Sequence, residues 1–336
     1  MHRPPCRDAE GPACASPLPA LDLVGAPLNQ VRSLMAADLA PESLPDSLRP
    51  LAAHALAGTG KMIRPGLVLL CGLGCGGLND QHLQVAAVME MIHQATLHHD
   101  DVLDVADTRR GRPATHRVWG TAAAVLLGDL ILSRVLRRCV DLRRDVARII
   151  SDMACRVCQG ELRQTLSRGD AGLTESEYLQ IIEDKSASFF SACGRAGALL
   201  AGADAEQVCA MDLYGLNLGM AFQITDDLLD LVSCPEQAGK PSGRDAGTGT
   251  MTLPVIHLLS VLDRPGRDDL ATRLRCGRDP TDYLREAAQG MGSLDYARAS
   301  ALRYVHEAIG ALQAVPDGPA RTALKDLALH CASRGA

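Results

Sequence analysis

The sequence predicts an all-α protein built as one domain, and three observations carry that expectation. From about residue 27 onward, apolar residues recur at spacings of three and four, the period of a helix with one buried face. Aromatic residues make up only 3% of the chain while Ala, Leu, Gly and Val abound, which suits close helix packing better than strands. The chain also lacks alternating strand patterns, any repeat of fixed period, and any linker that would divide it into two cores.

Taken in order, the apolar periodicity places helices near 27–38, 47–57, 62–73 and 81–106, then near 119–140, 143–167, 174–202 and 205–233. The Gly/Pro-rich stretch CPEQAGKPSGRDAGTG interrupts the pattern, because glycine and proline both disfavour continued helix. Helices resume near 252–263, 267–275, 280–289, 294–313 and 317–333. Pro65 and Pro254 fall near helix starts, where a missing N–H costs little. The opening MHRPPCRDAEGPACASPLP is Pro-rich, so residues 1–25 are expected to form a flexible tail and 26–336 the domain.

Bulk properties exclude several function classes. A net charge of −6 opposes general nucleic-acid binding, which needs a basic surface to displace counterions. No apolar run reaches the length of a membrane span, and the first residues lack the apolar core of a secretory signal. Of the twelve cysteines, Cys155 and Cys158 form a lone CxxC, with no second pair at zinc-finger spacing. Cys71, Cys139, Cys193 and Cys209 lie in apolar helical stretches where cysteine behaves as a small hydrophobe. Together these features predict a reducing, cytoplasmic setting.

Two acidic clusters carry the chemistry. HHDDVLD contains Asp100, Asp101 and Asp104, and TDDLLD contains Asp226, Asp227 and Asp230. Residues four apart share a helix face, so Asp100 projects with Asp104 and Asp226 with Asp230. Each cluster follows strongly apolar sequence, MEMIHQATL in one case and LGMAF in the other. Helices this apolar are buried, and carboxylates cannot be buried unpaired, so something positive has to lie between them. Clustered oxygen ligands suit Mg²⁺, which takes one or two carboxylates together with substrate phosphates. Short basic groups surround the clusters: Lys61 and Arg64 in GKMIRP, Arg109 and Arg110 in RRGRP, Lys185 in KSASFF, and Lys240 in GKP. The arginine fork donates two hydrogen bonds at once to a phosphate. His93 lies two turns before Asp100 on the same face, and Gln223 one turn before Asp226, so both point toward the acidic sites or pack in the core.

These residues resemble the trans-isoprenyl diphosphate synthases, also called polyprenyl synthetases, and most resemble the long-chain, octaprenyl-type members. The likeness runs through GKMIRP, IHQATLHHDDVLDVADTRRGRP, Gly128–Asp129, Gln159–Glu161, KSA, FQITDDLLD, GKP and Thr252–Pro254. It implies the isoprenoid-synthase fold, a helical bundle around a central cavity, and a homodimer. It also implies condensation of isopentenyl diphosphate with an allylic diphosphate primer, with Mg²⁺ as cofactor and product release at a membrane surface. Carried over by position, Asp100, Asp104, Asp226, Asp227 and Asp230 would hold Mg²⁺ against the allylic diphosphate, with Asp101 beside them at the catalytic centre. Arg109, Lys185, Ser186, Gln223 and Lys240 would contact that same substrate; Lys61, Arg64, His93 and Arg110 would hold isopentenyl diphosphate. Three positions depart from the family: Met62 stands where many members have a basic residue, Ser186 replaces a common Thr, and Thr250 replaces a frequent lysine, removing a positive charge near the second acidic cluster.

The rival readings are a metal phosphohydrolase built on HHDD, a non-catalytic subunit of a heteromeric synthase, a terpene cyclase, and a short-chain farnesyl or geranylgeranyl synthase. Ala95 and Thr96 lie just over one turn before Asp100, where short-chain members carry bulky aromatics, so small residues here favour a long product. The two-residue spacer in DDVLD agrees, since bacterial farnesyl synthases of this type often carry two more residues there. Ala95→Phe is expected to shorten the product, read as chain-length distribution by chromatography; an unchanged distribution would refute the open tunnel.

Overall fold

The computed structural model describes residues 18–38, 44–56, 60–232, 243–275 and 281–333. The chain runs through α1 (Gly25–Asp38), α2 (Arg49–Leu56), α3 (Ile63–Cys75) and α4 (Asp80–Leu103) into a two-stranded hairpin, β1 (Thr108–Arg109) and β2 (Arg112–Pro113). There follow α5 (Thr115–Trp119), α6 (Thr121–Cys139), α7 (Arg144–Leu166) and α8 (Glu175–Ile182). A π-helical turn, Glu183–Ala187, joins α8 to α9 (Ser188–Leu200), which leads to the longest helix, α10 (Ala205–Val232). The remaining helices are α11 (Arg244–Thr248), α12 (Leu253–Val261), α13 (Arg264–Arg275), α14 (Thr281–Gly290), α15 (Ser293–Ala311) and α16 (Pro319–Ser333). The fold is all-α, as the periodicity predicts.

Three local features differ from the sequence reading. The tail expected over 1–25 is packed from residue 18 onward: Leu18, Ala20, Leu21 and Val24 are buried, and Pro19–Val24 forms a 3-10 turn against α3 and α16. The apolar spacing of LPALDLV explains the docking, since it lines up one face of a short helix. Residues 1–17 lie outside the described residues. The single helix expected over 174–202 is broken by the π turn, an irregularity that periodicity does not report. The hairpin is the third difference. Arg110 and Gly111 both have positive φ (52° and 73°), the signature of a two-residue type I′ turn, and the Arg-Gly step at its tip is the signal that marks it.

Helix starts follow the capping rules. The Asn79 side chain accepts from the backbone N–H of Gln81 and His82, while His82 Nδ1 accepts from the Asn79 N–H; Thr174 and Glu177 close a second capping box. Pro254 is the second residue of α12, and Pro65 is the third of α3.

The core has two parts. The larger packs α1, α3, α4, α9 and α10 with the C-terminal helix; the smaller packs the C-terminal half of α10 against α12, α14 and α15. α10 therefore belongs to both. It lies against α9 along its length at a separation that only glycine permits: a Cβ on Gly215 would press into the Phe190 carbonyl, and one on Gly194 into the Met211 carbonyl. This close approach sets α9, and the π turn at its start, directly beside the acidic end of α10. No helix among the described residues is long and apolar enough to cross a membrane. Gly215→Ala is expected to destabilise the fold by ~1–3 kcal/mol through overpacking, measured by chemical denaturation; wild-type stability would mean the two helices can separate at no cost.

Candidate active site

The first acidic wall is the C-terminal end of α4. Asp104 is its C-cap, and its N–H still bonds to the Asp100 carbonyl at 2.9 Å. Val105 then adopts a left-handed conformation (φ 51°), and the Ala106 N–H returns to the Asp101 carbonyl at 2.9 Å, which stops the helix right after the motif. The chain turns into the hairpin, whose Arg109 Nε donates to Asp101 Oδ1 at 2.7 Å. Asp101 is only 2% exposed and is held by this arginine. Asp100, one residue around the helix, instead faces Lys185, Glu161 and Asp104, and burial pushes its carboxyl up to about 7. Asp104 accepts from Arg168 Nη2 at 2.8 Å.

The second wall is the end of α10. Asp227 is buried and takes a hydrogen bond on each oxygen, from Tyr178 Oη and from Gln223 Nε2, both at 2.7 Å. Burial nevertheless pushes it up to about 7. Asp226 is exposed on the neighbouring face. Asp230 accepts the Asp245 N–H at 2.9 Å, while its own carbonyl accepts from Gly243, so the segment after the break folds back onto the motif. Asp245 is pushed well up by desolvation and by Asp227 and Asp230.

Lys185, on the π turn, joins the two walls. Its Nζ donates to Glu161 and to Gln164 Oε1, each at 2.6 Å, and its charge acts on Asp100 and Asp104 from one wall and on Asp227 and Asp245 from the other. Both acidic motifs thus converge on one ammonium. The π turn comes this close because Gly160 of α7 has no side chain: a Cβ there would collide with the Lys185 backbone.

The basic residues gather on a neighbouring side. Arg64 stacks on Phe189 and Phe190, 4.9 and 5.0 Å from the ring centroids, and lies in the fields of Glu90, Asp226 and Arg110. His93 is held well below its ordinary value by burial and by Arg64, Arg110 and Arg109, so it is neutral at pH 7. Glu90, 2% exposed, lies in the fields of Arg64 and Arg110. Three guanidinium groups gathered about a neutral imidazole make a setting suited to a polyanion. Lys61 lines a cavity together with Phe222, His330 and Phe190, the last being one of the rings on which Arg64 stacks.

Several expected site residues hold different positions from those the sequence suggests. Asp101 and Asp227 are the second aspartate of each motif, and both are braces engaged inside the protein; adjacent helical residues point about 100° apart, so they cannot share the face of Asp100 and Asp226. Arg109 is committed to Asp101, and Ser186, 6% exposed, donates its hydroxyl to Gln223 Oε1. Ala95 is fully buried in α4, and the Thr96 hydroxyl donates to the His93 carbonyl at 2.9 Å. Lys240 lies outside the described residues. Met62 is buried with φ 55°, so the departure from a basic residue there places an apolar side chain in the core. Met62, Val105 and Arg110 are the non-glycine residues with positive φ among the described residues, and each adjoins a site motif, where strain is commonly stored. Sequence reasoning missed Tyr178, Asp245, Arg168 and Glu90; the GRDAG stretch after the second cluster was the one visible signal. His98 and His99 are turned to Thr115 (3.1 Å) and to the Val125 carbonyl (3.2 Å), which removes the histidines that the phosphohydrolase reading needs as ligands.

Asp100 and Asp104 on one wall and Asp226 and Asp230 on the other offer oxygen donors of the kind a hard divalent cation takes, although no three such side chains among the described residues are placed to hold an ion together. Burial first of all raises the carboxyls of Asp100, Asp227, Asp230 and Asp245, and neighbouring acids add to the rise.

The sequence profile of the polyprenyl synthetase family matches residues 45–289. The chain is 36% identical over 288 residues to octaprenyl diphosphate synthase of Escherichia coli, covering 84% of this chain and 88% of that protein. A decaprenyl diphosphate synthase structure from Rhodobacter capsulatus superposes with a TM-score of 0.88 at 31% identity, over 94% of this chain and 98% of that one. A polyprenyl synthase from Caulobacter crescentus, solved with calcium and isoprenyl diphosphate, superposes with a TM-score of 0.87 at 33% identity, over 94% and 97%.

The Asp100 shift has a sign that can be checked. Its unfolded value is about 3.9, and its folded value is about 7. The cation-free protein therefore loses stability as pH rises through that window, because the unfolded chain gives up the proton first. With a chelator present, Asp100→Asn is expected to melt above wild type at pH 8, the gap narrowing toward pH 5; parallel melting curves at all pH values would contradict the burial of this carboxyl.

Proposed function

As the chain belongs to the polyprenyl synthetase family, we propose that it condenses isopentenyl diphosphate head-to-tail, with trans geometry, onto an allylic diphosphate primer to give a long-chain polyprenyl diphosphate. The observation that carries this reading is the convergence of both acidic motifs on Lys185, beside a separate cluster of guanidinium groups. The arrangement offers two polyanion seats, one ringed by carboxylates and one by cations, as a reaction between two diphosphates requires.

In the proposed reaction the allylic C–O bond breaks and diphosphate leaves. Mg²⁺, held by Asp100, Asp104, Asp226 and Asp230, would supply positive charge to the departing group. The Lys185 ammonium adds to that charge from a fixed position, anchored by Glu161 and Gln164, so it needs no reorganisation as charge develops. Arg64 and Arg110, with neutral His93, hold the second diphosphate. The alkene of isopentenyl diphosphate attacks the allylic cation, a new C–C bond forms, and the proton leaves to the released diphosphate. Apolar side chains around the site, such as Phe189 and Phe190, exclude the water that would quench the cation. Small residues at Ala95 and Thr96 support room for a long product.

We read the protein as a cytoplasmic homodimer. Leu126, Leu136 and Val140 at the outer face of α6, and Leu162 and Leu166 on α7, are between 63% and 85% exposed, and apolar side chains this open support coverage by a second copy. Cys155 and Cys158 are exposed and unpaired, which suits a reducing compartment.

The test is incubation of the purified chain with labelled isopentenyl diphosphate, each allylic primer in turn, and Mg²⁺. Chain extension that a chelator abolishes is the expected result. Phosphate release without extension would replace this reading with a hydrolase, and activity only after adding a partner chain would make the protein a subunit.

A further inference from the structure

Position 250 holds Thr where many relatives by resemblance hold lysine, so the second acidic motif lacks a cation there. The Thr250 side chain is 6% exposed, and its hydroxyl is used on Thr248 at 2.9 Å. The chain after α7 runs alongside this position. The Gly169 N–H donates to the Gly249 carbonyl at 2.8 Å, which ties the loop after α7 to the residue next to Thr250. Arg168, the neighbour of Gly169, turns its guanidinium inward: Nη2 bonds to Asp104 Oδ1 at 2.8 Å, while Nε is buried with no hydrogen-bond partner among the described residues.

That loop is held in place. Gly169 has φ 72°, the Asp170 N–H returns to the Ser167 carbonyl at 3.2 Å, and the Gly172 N–H bonds to Asp170 Oδ1 at 2.9 Å. The arginine is therefore presented from a built turn, between the end of the first acidic motif and the strand of chain at 249–250. The Arg168 side chain is 25% exposed, and guanidinium N–H groups that Asp104 does not take suit phosphate oxygens. Asp104 alone cannot satisfy the fork.

We propose that Arg168 binds the allylic diphosphate in place of the lysine missing at 250. The proposal rests on the condensation reading above. Charge has been moved from one side of the cleft to another: the donor comes from the α7–α8 loop, and the position it serves is unchanged. Arg168, before α8, and Lys185, after it, then both reach the leaving group.

The experiment compares steady-state kinetics of wild type, Arg168→Ala, Arg168→Lys and the double variant Arg168→Ala/Thr250→Lys. Arg168→Ala is expected to raise KM for the allylic substrate about ten- to a hundredfold, the loss of one charged hydrogen-bonding partner, with KM for isopentenyl diphosphate little changed. Arg168→Lys recovers part of the loss, and lysine at 250 in the Ala background recovers most of it. Without turnover, the rise in melting temperature caused by inorganic diphosphate shrinks in Arg168→Ala and returns in the double variant. An allylic KM within about twofold of wild type would overturn the proposal, as would an equal rise for both substrates with a lowered melting temperature and no rescue. A wild-type enzyme that extends no primer would instead sink the condensation reading on which the proposal stands.

Discussion

One ammonium group organises this molecule. Asp100 and Asp104 end one apolar helix, Asp227 lies near the end of another with Asp245 of α11 folded onto it, and Lys185 is a cation whose field reaches all four. Burial raises these carboxyls first, and repulsion between neighbouring carboxylates adds to the rise. Lys185 relieves some of that and leaves the rest for whatever binds. The fold supports the arrangement by unusual backbone: a π turn carries the lysine inward, and Gly160 lets α7 come close enough to hold its Nζ through Glu161 and Gln164.

The two acidic motifs are built alike although they lie on different helices. In each, the second aspartate is buried and held: Asp101 by Arg109, Asp227 by Tyr178 and Gln223. The first and fifth positions of the motif lie together on a different face of the helix. A buried carboxylate with its hydrogen bonds made stiffens the helix end from which its neighbours project, which is the kind of support that a precise site needs. The strained residues follow the same logic. Val105 in the left-handed region ends α4 at Asp104, and Arg110 in that region closes the hairpin that returns Arg109 to Asp101. Local cost there is set against position, and the surrounding packing holds it.

Much of this was legible in the sequence. The positions of the helices follow from apolar spacing, and the acidic and basic groups from their spacing within those helices. The misses have local causes. LPALDLV has the spacing of a buried face but sits beside a Pro-rich start, so residues 18–24 read as tail although they pack. The hairpin is too short to show alternation, and only its Arg-Gly turn marks it. Tyr178 and Glu90 look like ordinary members of amphipathic helices, and nothing adjacent in the chain reveals what they touch.

The sequence by itself determined the class of fold and the two carboxylate rows, because helical period and charge in an apolar setting are local properties. Tertiary structure alone decided which aspartates brace and which face the cleft, that Lys185 serves both walls, and that Arg168 arrives beside position 250. Those outcomes depend on groups from distant segments meeting, such as Gly169 with Gly249 and Tyr178 with Asp227, and the energy of such meetings is written in packing and hydrogen bonds that no local pattern encodes.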